Sequence, residues 1–224
     1  MCLARTTVAA AAVLAAFLAS TTAHAAPAPA APLNTVTLPV QDALAQLPVR
    51  SEDRTGYERT KFEHWVDADK GGCNTCAEVL EAEAVVAPEQ GVSCRLSGGA
   101  WFSPYDDRFI QEPGGVDIDH LVPLAEAWDS GAFDWSAQER EAYANDLGDE
   151  RALFAVSAAS NRSGAAPAPS AWLPPAVGCR CHYVTGWVAT QMRWALSVDT
   201  HEQAAITEVL GHCPNVTVTI TPAR

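Results

Sequence analysis

The chain has 224 residues, 48% of them hydrophobic, with 14 Lys+Arg against 27 Asp+Glu and a net charge of −13. That length suits one domain with a real core. The acidic balance argues against a surface built for non-specific nucleic-acid binding, because neutralising phosphates takes Lys and Arg.

Residues 1–25 read as a secretory signal peptide. Arg5 supplies a positive start, Val8 to Leu18 is an almost unbroken apolar run, and Ala23-His24-Ala25 is a small-x-small cleavage site. The apolar run is too short for a permanent anchor, and no second segment is long and apolar enough to cross a membrane. A secreted, extracellular product is therefore expected. Cleavage removes Arg5 alone among the charges, leaving 13 basic and 27 acidic residues, a net of −14. Residues 26–37 form an Ala/Pro leader, extended and disordered, and 38–224 form the folded domain.

Six cysteines remain after cleavage: Cys73, Cys76, Cys94, Cys179, Cys181 and Cys213. An even count in an exported chain predicts a disulfide framework, with about 15 possible connectivities. The rival is a zinc site from Cys73-x-x-Cys76 with Cys179-x-Cys181-His182. Oxidising export favours disulfides.

Leu38 to Leu47 predicts a short helix with Val40, Leu44 and Leu47 on its apolar face. Tyr57, Phe62 and Trp65 then fall near helical spacing and read as core. Gly71 to Cys76 is a turn, and Ala77 to Ala87 a helix or a strand. Gly98-Gly99 followed by Ala100-Trp101-Phe102-Ser103 and Pro104 predicts a hairpin: a glycine turn and an aromatic strand ended by proline. Val116, Ile118, His120 and Val122 keep a period of two, a strand of a two-stranded ribbon. Pro123 to Trp128 reads as a helix.

Ser136 with Glu139 makes a capping box for a helix running to about Leu147 and stopping at Gly148. Leu153 to Val156 is a short buried run, Asn161-Arg162-Ser163 opens a loop, and Ala165 to Pro175 is a Pro/Ala-rich loop. His182 to Leu196 has helical spacing. Thr200 with Gln203 is a second capping box, before a last helix ending at Gly211.

The chemistry centres on Asp119-His120. A neutral imidazole takes a proton from water near neutral pH, and a carboxylate binds a hard divalent cation through oxygen. In an extended strand the two side chains point opposite ways, but at a strand end they can converge on one site. Asn161 is a reasonable third donor, through its amide oxygen. Taken alone, an Asp-His pair is most often an ordinary surface dipeptide.

The surroundings carry more. Asp119-His120-Leu121-Val122-Pro123-Leu124-Ala125-Glu126-Ala127-Trp128, Asn145-Asp146-Leu147, Ala155-Val156-Ser157 and Asn161-Arg162-Ser163 resemble the HNH endonuclease family. The likeness is to small secreted bacterial HNH-type proteins related to the C-terminal nuclease domain of modification-dependent restriction enzymes. It extends through Tyr57-Glu58-Arg59, Phe62-x-x-Trp65, Gly72-Cys73-Asn74-Thr75, Trp172-x-Pro174-Pro175 and Trp187-Val188, over about Leu47 to Cys213.

The resemblance implies an α+β fold: a ββα-metal core embedded in a mostly helical, disulfide-stapled single domain. It implies His120 as general base, Asp119 and Asn161 as ligands of one Mg²⁺ or Mn²⁺, and Asn145 as a residue orienting the catalytic loop. Arg162 and Arg59 are candidates for the substrate phosphate. The substrate would be DNA, with RNA as an extension, and the protein a monomer that does not bind membranes. Relative to the family, Cys76, Gly164 and Gln191 stand where cations are usual. A second reading is therefore a catalytically weakened secreted binding or scaffold protein of the same fold. Cys76 and Cys179 are also unusual for the family, which implies three pairs: Cys73–Cys94, Cys181–Cys213 and Cys76–Cys179.

Overall fold

The computed structural model describes residues 34–164 and 168–224. The expected signal peptide and most of the Ala/Pro leader lie outside the described residues, as does the start of the loop expected from Ala165. The first strand, β1 (Val36–Pro39), begins inside the stretch read as leader. Thr37 and its neighbours are ordered there because a strand from the far end of the chain pairs with them. Pro39 then leads into α1 (Val40–Gln46), which buries Val40, Ala43 and Leu44 as its apolar spacing predicts.

Tyr57, Phe62 and Trp65 do not form a helix. Arg59–Lys61 is a single 3-10 turn, and Trp65 takes a left-handed φ of 62°. α2 (Thr75–Ala82) begins at Asn74, whose side chain accepts from Ala77 N. β2 (Glu89–Gln90) and β3 (Leu96–Ser97) make a minimal pair, and the Gly98-Gly99 turn leads to β4 (Ala100–Ser103). Gly99 has φ 85°, and a Cβ there would lie 2.9 Å from the Trp101 ring, so only glycine fits. β5 (Arg108–Gln111) completes the predicted hairpin.

The central ribbon is β6 (Val116–His120) with the antiparallel β7 (Leu153–Ser157), in a register that sets Asp119 opposite Phe154. Its two strands are separated by α3 (Leu124–Asp129) and α4 (Ala137–Ala144). The Ser136–Glu139 capping box is present, but α4 ends at Ala144, short of Leu147. Asn145 stops it by turning its side chain back onto Glu141 O at 2.8 Å. Asn161 does not open a loop: it lies on α5 (Ala158–Ser163), N-capped by Ser157.

α6 (Arg180–Arg193) and α7 (Thr200–Leu210) follow, and β8 (Thr217–Ile220) returns to pair with β1. The cap of α7 is Asp199, whose carboxylate accepts from His201 N and Glu202 N, and not a Thr200–Gln203 box. A carboxylate beats a hydroxyl at that position because it also meets the positive end of the helix dipole.

Helices, small antiparallel sheets and two disulfides make this an α+β protein. The main core gathers Val40, Phe62, Leu124, Trp187, Ile206 and Ile220; a smaller cluster of Val79, Trp101, Ile118 and Leu153 lies under β6 and β7. Cys73–Cys94 and Cys181–Cys213 are bonded as expected, but Cys76 and Cys179 are free thiols. Cys76 on α2 packs against the smaller cluster and Cys179, just before α6, against the main core, so no third bridge forms. The pairing also removes the zinc alternative, since Cys73 and Cys181 are committed to different partners. No described helix is long and apolar enough to cross a membrane.

The main core holds carboxyl groups whose pKa burial raises. Glu202 is fully buried; Trp187 Nε1 and Gln191 Nε2 both donate to its Oε1, while Oε2 has no partner. Burial, with the nearby Glu126 charge, pushes its pKa up to about 8, and burial pushes Glu126 up to about 7. Acids raised above their unfolded values near 4.3 contribute stability that is full at low pH and is lost as pH rises through about 7 to 8. The melting temperature should therefore fall by several degrees from about pH 5 to about pH 8. Glu202→Gln should flatten that slope in calorimetry.

Candidate active site

His120 closes β6 on its buried face, after Val116 and Ile118. Its Nε2 lies 2.9 Å from the Ala144 carbonyl. A carbonyl only accepts, so Nε2 carries the proton and Nδ1 keeps its lone pair. The Trp65 ring covers the imidazole at 5.2 Å between centroids, tilted by 30°. Burial lowers the His120 pKa to about 4, with Arg59 and His64 adding to the effect and the Ala144 bond opposing it. The side chain is neutral at physiological pH and able to accept a proton.

Asn145 stands directly behind this pair. Its Oδ1 accepts from Val66 N at 3.1 Å and Thr75 Oγ1 at 2.9 Å, and its Nδ2 donates to Glu63 O and Glu141 O, each at 2.8 Å. The bonds to Glu63 and Val66 bracket Trp65 and hold its left-handed backbone, a conformation costly for a bulky residue. Asn145 thus fixes the cover over His120 and follows the residue whose carbonyl sets the tautomer. It touches no reacting position itself.

Asp119 projects from the opposite face of β6, as strand alternation requires. Tyr105 OH donates to its Oδ2 at 2.9 Å. Burial and the neighbouring Asp117 push its pKa up to about 7, while Tyr105 and Arg59 pull it down. Asp119 and Asn161 line one cavity of about 20 Å³ with Tyr105, Leu121, Gly164 and Trp172. That volume takes a single water-sized or ion-sized occupant. Asn161 Nδ2 donates to Asp117 Oδ2 at 3.3 Å. A carboxylate and an amide oxygen on a one-atom cavity are donors that suit a hard divalent cation.

The structure therefore brings Asp119 and Asn161 together, and sets His120 beside them on the other face of the strand end. The two arginines fall differently. Arg162 is exposed on α5 and its Nε pairs with Asp117 Oδ2 at 3.4 Å. Arg59 is exposed, with its positive charge felt at both Asp119 and His120. Of the positions lacking family cations, Gly164 packs against the Trp172 ring, where an added Cβ would sit 3.1 Å away. Gln191 is not at the site: it is buried between α6 and α7, bonded to Ser197 O and Glu202.

Sequence reasoning missed Asp117, Tyr105 and Trp65 as parts of the site. The Asp-x-Asp spacing was a usable signal for Asp117, since residues two apart share a strand face. Nothing local points to Tyr105, which reaches Asp119 from the β4–β5 turn. A second acidic group, Glu52, Glu126 and Asp129, has oxygens within 4.8 Å of one another, but Arg54 Nε already donates to both Asp129 oxygens at 2.5 and 2.6 Å.

The family described as "GmrSD restriction endonucleases, C-terminal domain" matches residues 93–209, which span β6, β7 and α5. An "Uncharacterized secreted protein" of Arthroderma benhamiae is 37% identical over 189 residues, covering 84% of this chain and 91% of that protein. No solved structure matches the chain. The match spans the Asp119-His120 strand, its β7 partner and Asn161, so the HNH-type endonuclease resemblance seen in the sequence holds. The chain belongs to the nuclease family of GmrSD restriction endonuclease C-terminal domains.

Proposed function

We propose that this protein is a secreted, metal-dependent HNH-type endonuclease, hydrolysing phosphodiester bonds of DNA, with RNA as an extension. On this reading β6, β7 and α5 are the ββα-metal core of a monomeric domain, exported by the signal peptide at residues 1–25. The paired disulfides and the secreted name of the fungal relative support export. The observation that carries the proposal is the division of labour across one strand end. Asp119 and Asn161 line one cavity of ion size, while the Ala144 carbonyl takes the Nε2 proton of His120 and leaves Nδ1 as the basic nitrogen.

His120 Nδ1 takes the proton of the attacking water, and Ala144 O stabilises the imidazolium through Nε2–H. Asp119 and Asn161 would hold Mg²⁺ or Mn²⁺, which when bound neutralises the scissile phosphate and the leaving oxygen. Tyr105 keeps Asp119 aimed at the cavity, Asn145 keeps Trp65 over the base, and Arg59 receives the substrate phosphate. The proposal is tested by plasmid nicking with Mg²⁺ or Mn²⁺, with and without chelator. Nicking that stops with chelator, and falls at least about 100-fold in Asp119→Asn, is expected; chelator-resistant nicking would overturn metal dependence.

One observation favours a weakened enzyme. Arg162, the second phosphate candidate, is held by Asp117. Full folding without nicking under any divalent metal would select that reading.

A further inference from the structure

A cavity of about 650 Å³ opens beside the site, lined by Phe102, Asp106 and Asp107 on one wall and Val177, Cys179 and His182 on the other. Both walls are joined to the residue that holds Asp119. Tyr105 directly precedes Asp106, and its carbonyl accepts from Ala176 N of the opposite wall at 2.9 Å. His182 stacks edge-on against Phe154 at 5.9 Å, and Phe154 is the cross-strand partner of Asp119. The cavity thus begins one residue from a proposed metal ligand on two separate elements. A group seated in it would belong to a nucleotide next to the scissile phosphate.

Its chemistry selects which group. Phe102 is 38% exposed and packs at 5.2 Å against Phe109, itself 68% exposed, so the hairpin offers two aromatic rings to solvent. No lysine or arginine lines the cavity, and two carboxylates do, which disfavours a phosphate. Asp106 Oδ2 accepts from Ser157 Oγ at 2.6 Å and its Oδ1 is buried, so the exposed carboxylate of Asp107 is the acceptor open to the cavity. An aromatic face, apolar walls and a carboxylate acceptor suit a nucleobase with an exocyclic amino group: the ring stacks and the amino group donates, whereas the single donor of thymine or uracil, N3–H, lies between two carbonyl oxygens that a carboxylate repels. A base inside a duplex has its faces covered and its pairing edge used, so only an unpaired or extruded base can enter.

Resting on the nuclease reading, we infer that this cavity is a base-accepting subsite. It favours single-stranded or locally unpaired nucleic acid with adenine, cytosine or guanine, rather than thymine or uracil, beside the cleaved bond. Stacking of this kind supplies affinity that an acidic surface with few phosphate contacts lacks.

The test separates binding from turnover. His120→Ala protein, without its signal peptide, is titrated with short dC strands, short dT strands and a duplex, read by fluorescence anisotropy. Both strands should bind about tenfold tighter than the duplex, a typical worth for one stacked base, and dC tighter than dT through the carboxylate acceptor. Phe102→Ala, at a half-exposed position, should remove the strand preference, and Asp106→Asn with Asp107→Asn the preference for dC over dT. Melting temperatures show that each variant folds. Equal binding of all three ligands, or a preference that survives Phe102→Ala, would overturn the subsite. The nuclease reading is judged apart, by wild-type nicking. Binding preference without nicking keeps the subsite and sinks the nuclease; nicking without preference does the reverse.

Discussion

Replacing His120 with alanine should lower the rate of plasmid nicking by about 10²- to 10⁴-fold, the usual worth of a positioned general base. His120 is the last residue of β6, its Nε2 bound to Ala144 O and its ring under Trp65, so the lone pair on Nδ1 has one fixed direction. With its pKa lowered to about 4 by burial, the imidazole is unprotonated near neutral pH. The rate should therefore show no fall from protonation of His120 between about pH 6 and pH 8. Asparagine in place of His120 keeps a polar side chain but no proton acceptor of comparable basicity, so it should be as damaging as alanine. A variant that retains more than about a tenth of the wild-type rate would remove His120 from the base role. Asn145→Ala should also slow nicking, by loosening Trp65 and Ala144.

The parts of this site that could be read in the sequence were those with local rules. The period of two from Val116 to His120 announced the strand and which residues it buries, and the Ser136–Glu139 pair announced α4. What was illegible depends on partners far away in the chain. β1 exists because β8 pairs with it across some 180 residues, which no window around Val36 contains. α5 is only six residues long and Ser160, Asn161 and Ser163 are poor helix formers, so Asn161 was given to a loop; its Ser157 cap was a local sign. The Cys76–Cys179 pairing failed because counting cysteines says nothing about which core each one packs on. The tautomer of His120 is set by a backbone carbonyl, a group every residue carries.

Asp146→Ala should cost about 3–5 kcal/mol, the penalty for leaving one half of a buried ion pair uncompensated. Asp146 is 6% exposed and takes four donors: Arg193 Nε at 2.7 Å, Arg193 Nη2 at 2.8 Å, Trp194 Nε1 at 2.8 Å and Gly148 N at 2.9 Å. Arg193 also donates to Thr221 O, so the same guanidinium ties the end of α6 to the segment after β8. In a chain of this size the melting temperature should drop by roughly 6–20 °C, since each kcal/mol moves it by about 2–4 °C. Asp146→Asn should be nearly as harmful, because its NH₂ would face the Arg193 and Trp194 donors. Arg193→Met alone should also destabilise, whereas Asp146→Leu with Arg193→Met should recover part of the loss, giving a coupling energy well above that of an exposed pair. Additive losses in that cycle would show the pair to be independent. The consequence reaches the site: Asp146 follows Asn145 and Ala144, so what anchors Asp146 anchors the clamp on Trp65 and the carbonyl that orients His120. Asp146→Ala should therefore slow nicking even below its melting temperature, while leaving Asp119 and Asn161 on their own side of the strand.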